Sequence, residues 1–275
     1  MVAAAAIVLA SCGSDPAPGP TPRPSPTAAV SSASPTPDPG TVPPDWLGPR
    51  VLPIDTQTGY GRVEATPAEL QDRRFSLPDT IDPLPGDGFA SRVDPVPDDV
   101  LARSTWHAAC PVSATQLRWV RVTFWGFDDI RHTGELLVNA DAAQDMVAVF
   151  EQMYAARYPI EEMRITRSDE LDAPPTGDGN NTSAFTCRPV TLDSTTWSQH
   201  AYGRAIDVNP FQNPYVKGDV VIPELASAYL DRNRHDPGVI HARDVVTNAF
   251  ASVGWIWGGS WQRSKDYMHF SANGY

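Results

Sequence analysis

The 275 residues carry a formal net charge of −12 and only three cysteines. So acidic a chain argues against nucleic acid or an anionic lipid surface as a partner, since both need basic patches. The 28 prolines are about twice the ordinary share, and eleven of them lie between Pro16 and Pro44. The rest, with 8 tryptophans, has enough apolar content to bury a core.

In chain order, residues 2–10 (VAAAAIVLA) form an apolar run too short to span a bilayer, which takes about 20 residues. The run ends at Leu9-Ala10-Ser11-Cys12, which resembles the lipobox of bacterial lipoproteins, where the cysteine receives the lipid. No Lys or Arg precedes Cys12; a start upstream of Met1 is one explanation, and a plain secretory leader with a chance cysteine is the alternative reading. Residues 1–12 are read as a lipoprotein-type signal peptide. The protein is expected outside the cytoplasm, anchored to the bacterial cell membrane through lipid on Cys12, or otherwise secreted. Residues 13–45 are Pro-rich with almost no large apolar side chains and cannot form a core, so they read as a disordered spacer. Residues 46–104 show scattered apolar residues without a period and read as an extended segment.

From 105 to 275 the pattern is that of one fold. Leu117 to Phe124 alternates and is rich in β-formers, predicting a strand, and Glu135 to Val138 predicts a second. Asp141 with Gln144 suggests a capping box opening a helix, with Met146, Val147, Phe150, Met153 and Tyr154 at helical spacing and Pro159 beyond its end. A further helix is predicted from about Ala242 to Val253, stopped by Gly254. The irregular alternation of strands and helices predicts an α+β fold with a mainly antiparallel sheet.

Two clusters carry chemistry: Ser198-Gln199-His200-Ala201-Tyr202-Gly203-Arg204-Ala205-Ile206-Asp207-Val208-Asn209-Pro210, and Lys265-Asp266-Tyr267-Met268-His269-Phe270. His200 and Asp207 would stand about 10 Å apart on a helix and over ~20 Å apart on a strand, so a shared metal needs the chain to fold back between them. Gly203 is where it does so at least cost. Asp207 then faces one side of a short strand while Ile206 and Val208 face the core. His269 supplies a third ligand. Three protein ligands and an open position make a catalytic zinc site, and Asp266, three residues before His269, is placed for a general base. His107, His132, His235 and His241 are read as structural or surface residues. No HExxH helix and no G-x-S-x-G elbow exist. Cys110 and Cys187 are the only candidates for a disulfide in the exported part, with free thiols as the alternative.

The segments SQHAYGRAIDVNP and KDYMHF together resemble the zinc D-alanyl-D-alanine carboxypeptidase family, in particular its VanY and L-alanyl-D-glutamate endopeptidase branch, whose fold is shared with the hedgehog domain. The resemblance covers roughly residues 105–275. It implies one zinc ion held by His200, Asp207 and His269, with Asp266 as catalytic base where many members carry Glu. It implies Arg188, in the stretch from Asn180 to Arg188, as the oxyanion partner. Ser198, Tyr202 and Asn209 take supporting positions, and Trp255, Trp257 and Trp261 belong either to the pocket wall or to the core. The expected activity is hydrolysis of peptidoglycan stem peptides by a monomeric zinc peptidase, as carboxypeptidase or endopeptidase. The alternatives are a non-catalytic zinc-containing binding module and a redox or scaffold lipoprotein built on Cys110 and Cys187.

Overall fold

The computed structural model describes residues 1–5, 10, 13, 19, 38 and 40–275, without residue 192 and without the side chain of residue 194. The chain divides into two units, residues 1–36 and 37–275. Cys12 and most of the Pro-rich spacer lie outside the described residues. No described helix is long and apolar enough to cross a membrane.

The second unit is built on an antiparallel sheet of β1 (Ser91–Pro95), β2 (Leu117–Trp125) and β3 (Arg131–Asn139), with β2 in the middle; a short helix α1 (Asp98–Ala102) joins β1 to β2. The alternation of β2 divides its two faces. Val120, Val122 and Phe124, with Leu136 and Val138 of β3, bury against the helix α2 (Ala143–Ala155) through Met146, Val149, Phe150 and Met153. On the opposite face Leu117 and Leu137 pack with Val100 of α1, Ile165, Phe185 and Cys187. The second strand extends beyond the expected 135–138, because the register with β2 continues from Asn139 out to Arg131.

The start of α2 departs from the capping-box expectation. Asp141 caps nothing; its carboxylate pairs with the Arg204 guanidinium, a charge-assisted bond stronger than one to a neutral amide, and the helix begins at Ala143. Beyond α2, the two-residue strands β4 (Glu162–Met163) and β5 (Asn181–Thr182) pair in parallel, and β6 (Pro189–Val190) with β7 (Asp193–Trp197) forms a hairpin. Next come β8 (Ala205–Asp207), β9 (Tyr215–Lys217), β10 (Val220–Ile222), the helix α3 (Val245–Ser252), and β11 (Ile256–Trp257), β12 (Lys265–Asp266) and β13 (His269–Ser271). They assemble two small antiparallel sheets, ordered β10-β9-β12 and β11-β13-β8. The helix expected from 242 starts at Val245: Arg243 has φ +68°, and Asp244 caps by accepting the Thr247 N–H at 2.8 Å. The expected stop, Gly254, has φ +82°. The whole is α+β with mainly antiparallel pairing.

Residues 46–104 are built into the same unit as 105–275. Leu52, Leu70 and Phe75 are buried with Phe211, Leu225 and Tyr229. Arg73, 3 % exposed, donates through Nε and Nη2 to the Glu161 carboxylate at 2.9 and 2.6 Å and through Nη1 to the Asp178 carbonyl at 2.7 Å. Removing one partner of such a pair strands a buried charge. Cys110 and Cys187 form a disulfide across a separation of 77 residues, tying the loop after α1 to the segment before β6.

Phe75→Ala is expected to lower unfolding free energy by about 3–5 kcal/mol in denaturant titration, the cost of emptying a filled aromatic site, whereas Val51→Ala, at an exposed position, changes it little. Reducing the Cys110–Cys187 bridge is expected to destabilise the unit by about 2–5 kcal/mol, since the chain it closes is long; an unchanged melting curve under reductant contradicts this. His132 carries a pH signature: its hydrogen bond to Asp79 raises its pKa above 6.5, burial opposes this, and Asp128 raises it further. A raised folded-state value means a contribution fully present below pH 6.5 and lost as pH rises through that value. The wild type is therefore expected to lose more stability than His132→Asn as pH climbs from 6.5 upward.

Candidate metal centre

The site begins with a reversal of the chain. Residues Gln199–Tyr202 make a 3-10 turn opened by Ser198, whose Oγ accepts the His200 N–H at 3.3 Å. It is closed by Gly203 at φ +66°, where an added Cβ would lie 2.5 Å from the Asn139 nitrogen. Only glycine meets both demands there. The chain returns as β8, which pairs with β13 so that Asp207 stands opposite His269, Ile206 opposite Phe270 and Ala205 opposite Ser271. Ile206, Val208 and Phe270 go into the main core, and period-two alternation turns Asp207 and His269 to the other face. The second edge of β8 is held by reciprocal bonds between Asp207 and Ser183, at 2.9 and 3.1 Å.

Three donor atoms meet as a result. His200 Nε2 lies 3.2 Å from His269 Nδ1 and 3.3 Å from Asp207 Oδ1, and His269 Nδ1 lies 3.2 Å from the same oxygen. The outer nitrogens are committed elsewhere: His200 Nδ1 donates to the Ala184 carbonyl at 2.5 Å, and His269 Nε2 to a main-chain oxygen of Tyr275 at 3.4 Å. That leaves Nε2 of His200 and Nδ1 of His269 facing Asp207. Burial alone would push the Asp207 carboxyl up; His200 and His269 outweigh it and hold it far below the usual carboxylate range.

This donor set fits zinc. Bonds of about 2.0–2.1 Å in a tetrahedron require ligand–ligand edges of about 3.3 Å, and the three separations observed are 3.2, 3.2 and 3.3 Å. A carbonyl behind each ligating imidazole is the usual device for fixing its tautomer. The His107, Cys110 and Cys187 cluster also brings ligand atoms together, but its two sulfurs are spent on the disulfide.

Asp266 lies on β12, opposite Tyr215 of β9. Its Oδ1 is fully buried and has no hydrogen-bond partner among the described residues. Burial pushes its carboxyl up, His269 pulls it back, Asp207 pushes it up and Arg188 pulls it down, leaving it at about 7. A carboxyl so poised exchanges protons readily near neutral pH. Arg188 is half-buried, and its Nη1 donates to the Pro189 carbonyl at 3.0 Å and to Thr191 Oγ1 at 3.3 Å. Its electrostatic effect on Asp266 marks it as a neighbour of that carboxyl.

Other residues singled out in the sequence divide. Trp261 adjoins the site, its ring 5.4 Å from His269, and its indole donates to the Gly274 carbonyl at 2.8 Å. Trp255 belongs to the core against Phe250, and Trp257 donates to the Tyr267 carbonyl. Tyr202 accepts from Asn139 through its carbonyl, and Asn209, fully buried, bonds to the Pro159 carbonyl, Tyr158 and the Glu161 N–H. Sequence reasoning passed over Ala184, Tyr215 and Gly258. An added Cβ at Gly258 would lie 2.9 Å from Asp266 Cβ and 2.7 Å from its carbonyl oxygen. The Gly258-Gly259 pair just upstream of KDYMHF was the available signal for a close backbone approach.

The family model described as D-alanyl-D-alanine carboxypeptidase matches residues 192–272. That stretch holds His200, Asp207 and His269 as well as Asp266. It does not reach Arg188. The match supports a peptidase, of a family that is typically zinc-dependent. No curated protein and no solved structure gives a match.

Purified protein is expected to hold one zinc per chain by elemental analysis after dialysis. His200→Ala and His269→Ala should each lose it, while Asp266→Ala retains it; full zinc in both histidine variants contradicts the centre drawn above.

Proposed function

We propose that this protein is a zinc metallopeptidase that hydrolyses peptide bonds in peptidoglycan stem peptides, with a fold of the kind its family shares with the hedgehog domain. The observation that carries this is the triangle of His200, Asp207 and His269 with a near-neutral carboxyl close by, Asp266, whose buried Oδ1 has no hydrogen-bond partner among the described residues. A module that only binds has no use for that carboxyl, whose burial carries a desolvation cost. The family-model match over residues 192–272 supports the same reading.

Zinc held there supplies a Lewis acid for the scissile carbonyl and eases deprotonation of the attacking water. The protein's own residues do the rest. Asp266 takes the proton from the attacking water and returns it to the leaving amine. Arg188 offers a guanidinium to the oxygen on which negative charge develops, an interaction that strengthens in the transition state. The Ala184 carbonyl holds His200 in one tautomer, and Trp261 walls the side of His269. The disulfide is compatible with work outside the cytoplasm, and we extend the proposal to a lipid anchor on Cys12.

Incubating the zinc-loaded protein with purified stem peptides and weighing the products tests the reading. Loss of terminal D-Ala assigns a carboxypeptidase, and internal cleavage assigns an endopeptidase. Asp266→Ala is expected to lower turnover by about 10²–10⁴-fold with zinc retained, and Arg188→Ala by about 10²–10³-fold. Turnover that survives Asp266→Ala, or intact peptides with the wild type, overturns the proposal.

A further inference from the structure

A cavity of about 520 Å³ opens on the face of the β1-β2-β3 sheet away from α2, and none of its lining residues belongs to the metal centre. Four of its eleven lining residues are arginines: Arg103 after α1, Arg121 on β2, and Arg164 and Arg167 after β4. In a chain of net charge −12 that concentration is against the general trend. The cavity also contains Trp119, whose ring lies 3.9 Å from the Arg121 guanidinium carbon.

Each of these arginines has a carboxylate partner, and the placement of those partners is informative. Arg103 grips the fully buried Glu135 with both terminal nitrogens at 2.5 Å, and the Trp119 indole donates to the same carboxylate at 2.7 Å. Arg121 pairs with Asp94, Arg164 with Glu162 and Glu170, and Arg167 with Asp169. None of those five acids lines the cavity; the only acids that do are Asp82 and Asp99. Four arginines thus share the lining with two carboxylates. A guanidinium carries five N–H donors, so pairing with a carboxylate outside the lining leaves donors for a ligand. Arg121 Nε shows the deficit directly: it is buried, with no hydrogen-bond partner among the described residues. An unmet buried donor calls for an explanation, and an acceptor in the adjoining cavity provides one.

We infer that this cavity is a second binding site, which takes the carboxylate or phosphate group of an anionic ligand between Arg121, Arg164 and Arg167, with the ligand's flat or apolar part against Trp119. The inference stands apart from the peptidase reading, since it uses no residue of the metal centre.

Titration calorimetry of the full chain with inorganic phosphate and, separately, with succinate tests it. Saturable binding of at least one anion is expected, weakened tenfold or more in Arg121→Gln and in Arg167→Gln and unchanged in the metal-site variant His269→Ala. Arg167 is more than half exposed, so its replacement keeps the test open should Arg121→Gln fail to fold by circular dichroism. Phosphate alone binding assigns a phosphate-bearing ligand, succinate alone a carboxylate-bearing one. Absence of saturation with both anions, affinity untouched in the folded arginine variants, or loss of binding in His269→Ala overturns the site.

Discussion

Two imidazole nitrogens and a carboxylate oxygen converge to within 3.3 Å of one another in a buried place. The two imidazoles favour the charged form of the Asp207 carboxyl, and a low-dielectric interior strengthens that attraction. Strand pairing acts beside it to bring the three together. The β8–β13 register fixes Asp207 against His269, and the Gly203 reversal delivers His200 to the same point.

Holding that register draws on residues far away in sequence. Glu161 receives Arg73 from one side and the Asn180 amide from the other at 2.6 Å, and Asn180 in turn accepts the Phe211 N–H. The chain that follows carries Ser183, which bonds β8, and Ala184, which orients His200. A buried ion pair between Arg73 and Glu161 thus supports the backbone that aims His200. Four residues beyond Ala184, Arg188 leaves the segment anchored by the disulfide and by the Cys187 N–H, which donates to Thr105 Oγ1 at 2.9 Å.

What was legible in the sequence was local. Alternation in Leu117–Phe124, helical spacing from Met146 to Tyr154, and the glycine between His200 and Asp207 each follow from backbone preferences acting over a few residues. The long-range contacts were not. Nothing about Asp141 and Gln144 reveals that Arg204, across the chain, competes for the aspartate and wins. The segment 46–104 has no period because it supplies single side chains such as Leu52, Leu70 and Phe75 to a core whose other half comes from 211–229. Likewise, Asp266 is recognisable by its spacing from His269, but its near-neutral carboxyl arises first from burial, with His269, Asp207 and Arg188 adjusting it, surroundings that no spacing expresses.

The bond from Ala184 to His200 has a consequence for moving this chemistry between proteins. A transplant of residues 192–272 would carry His200, Asp207 and His269 as well as Asp266, yet would leave behind the carbonyl that sets the His200 tautomer and the guanidinium that steadies Asp266. In a new host His200 would lose the acceptor that holds its Nδ1, although all three inward-facing residues were present. The smallest portable unit therefore reaches back to Ala184 at least, sixteen residues before His200.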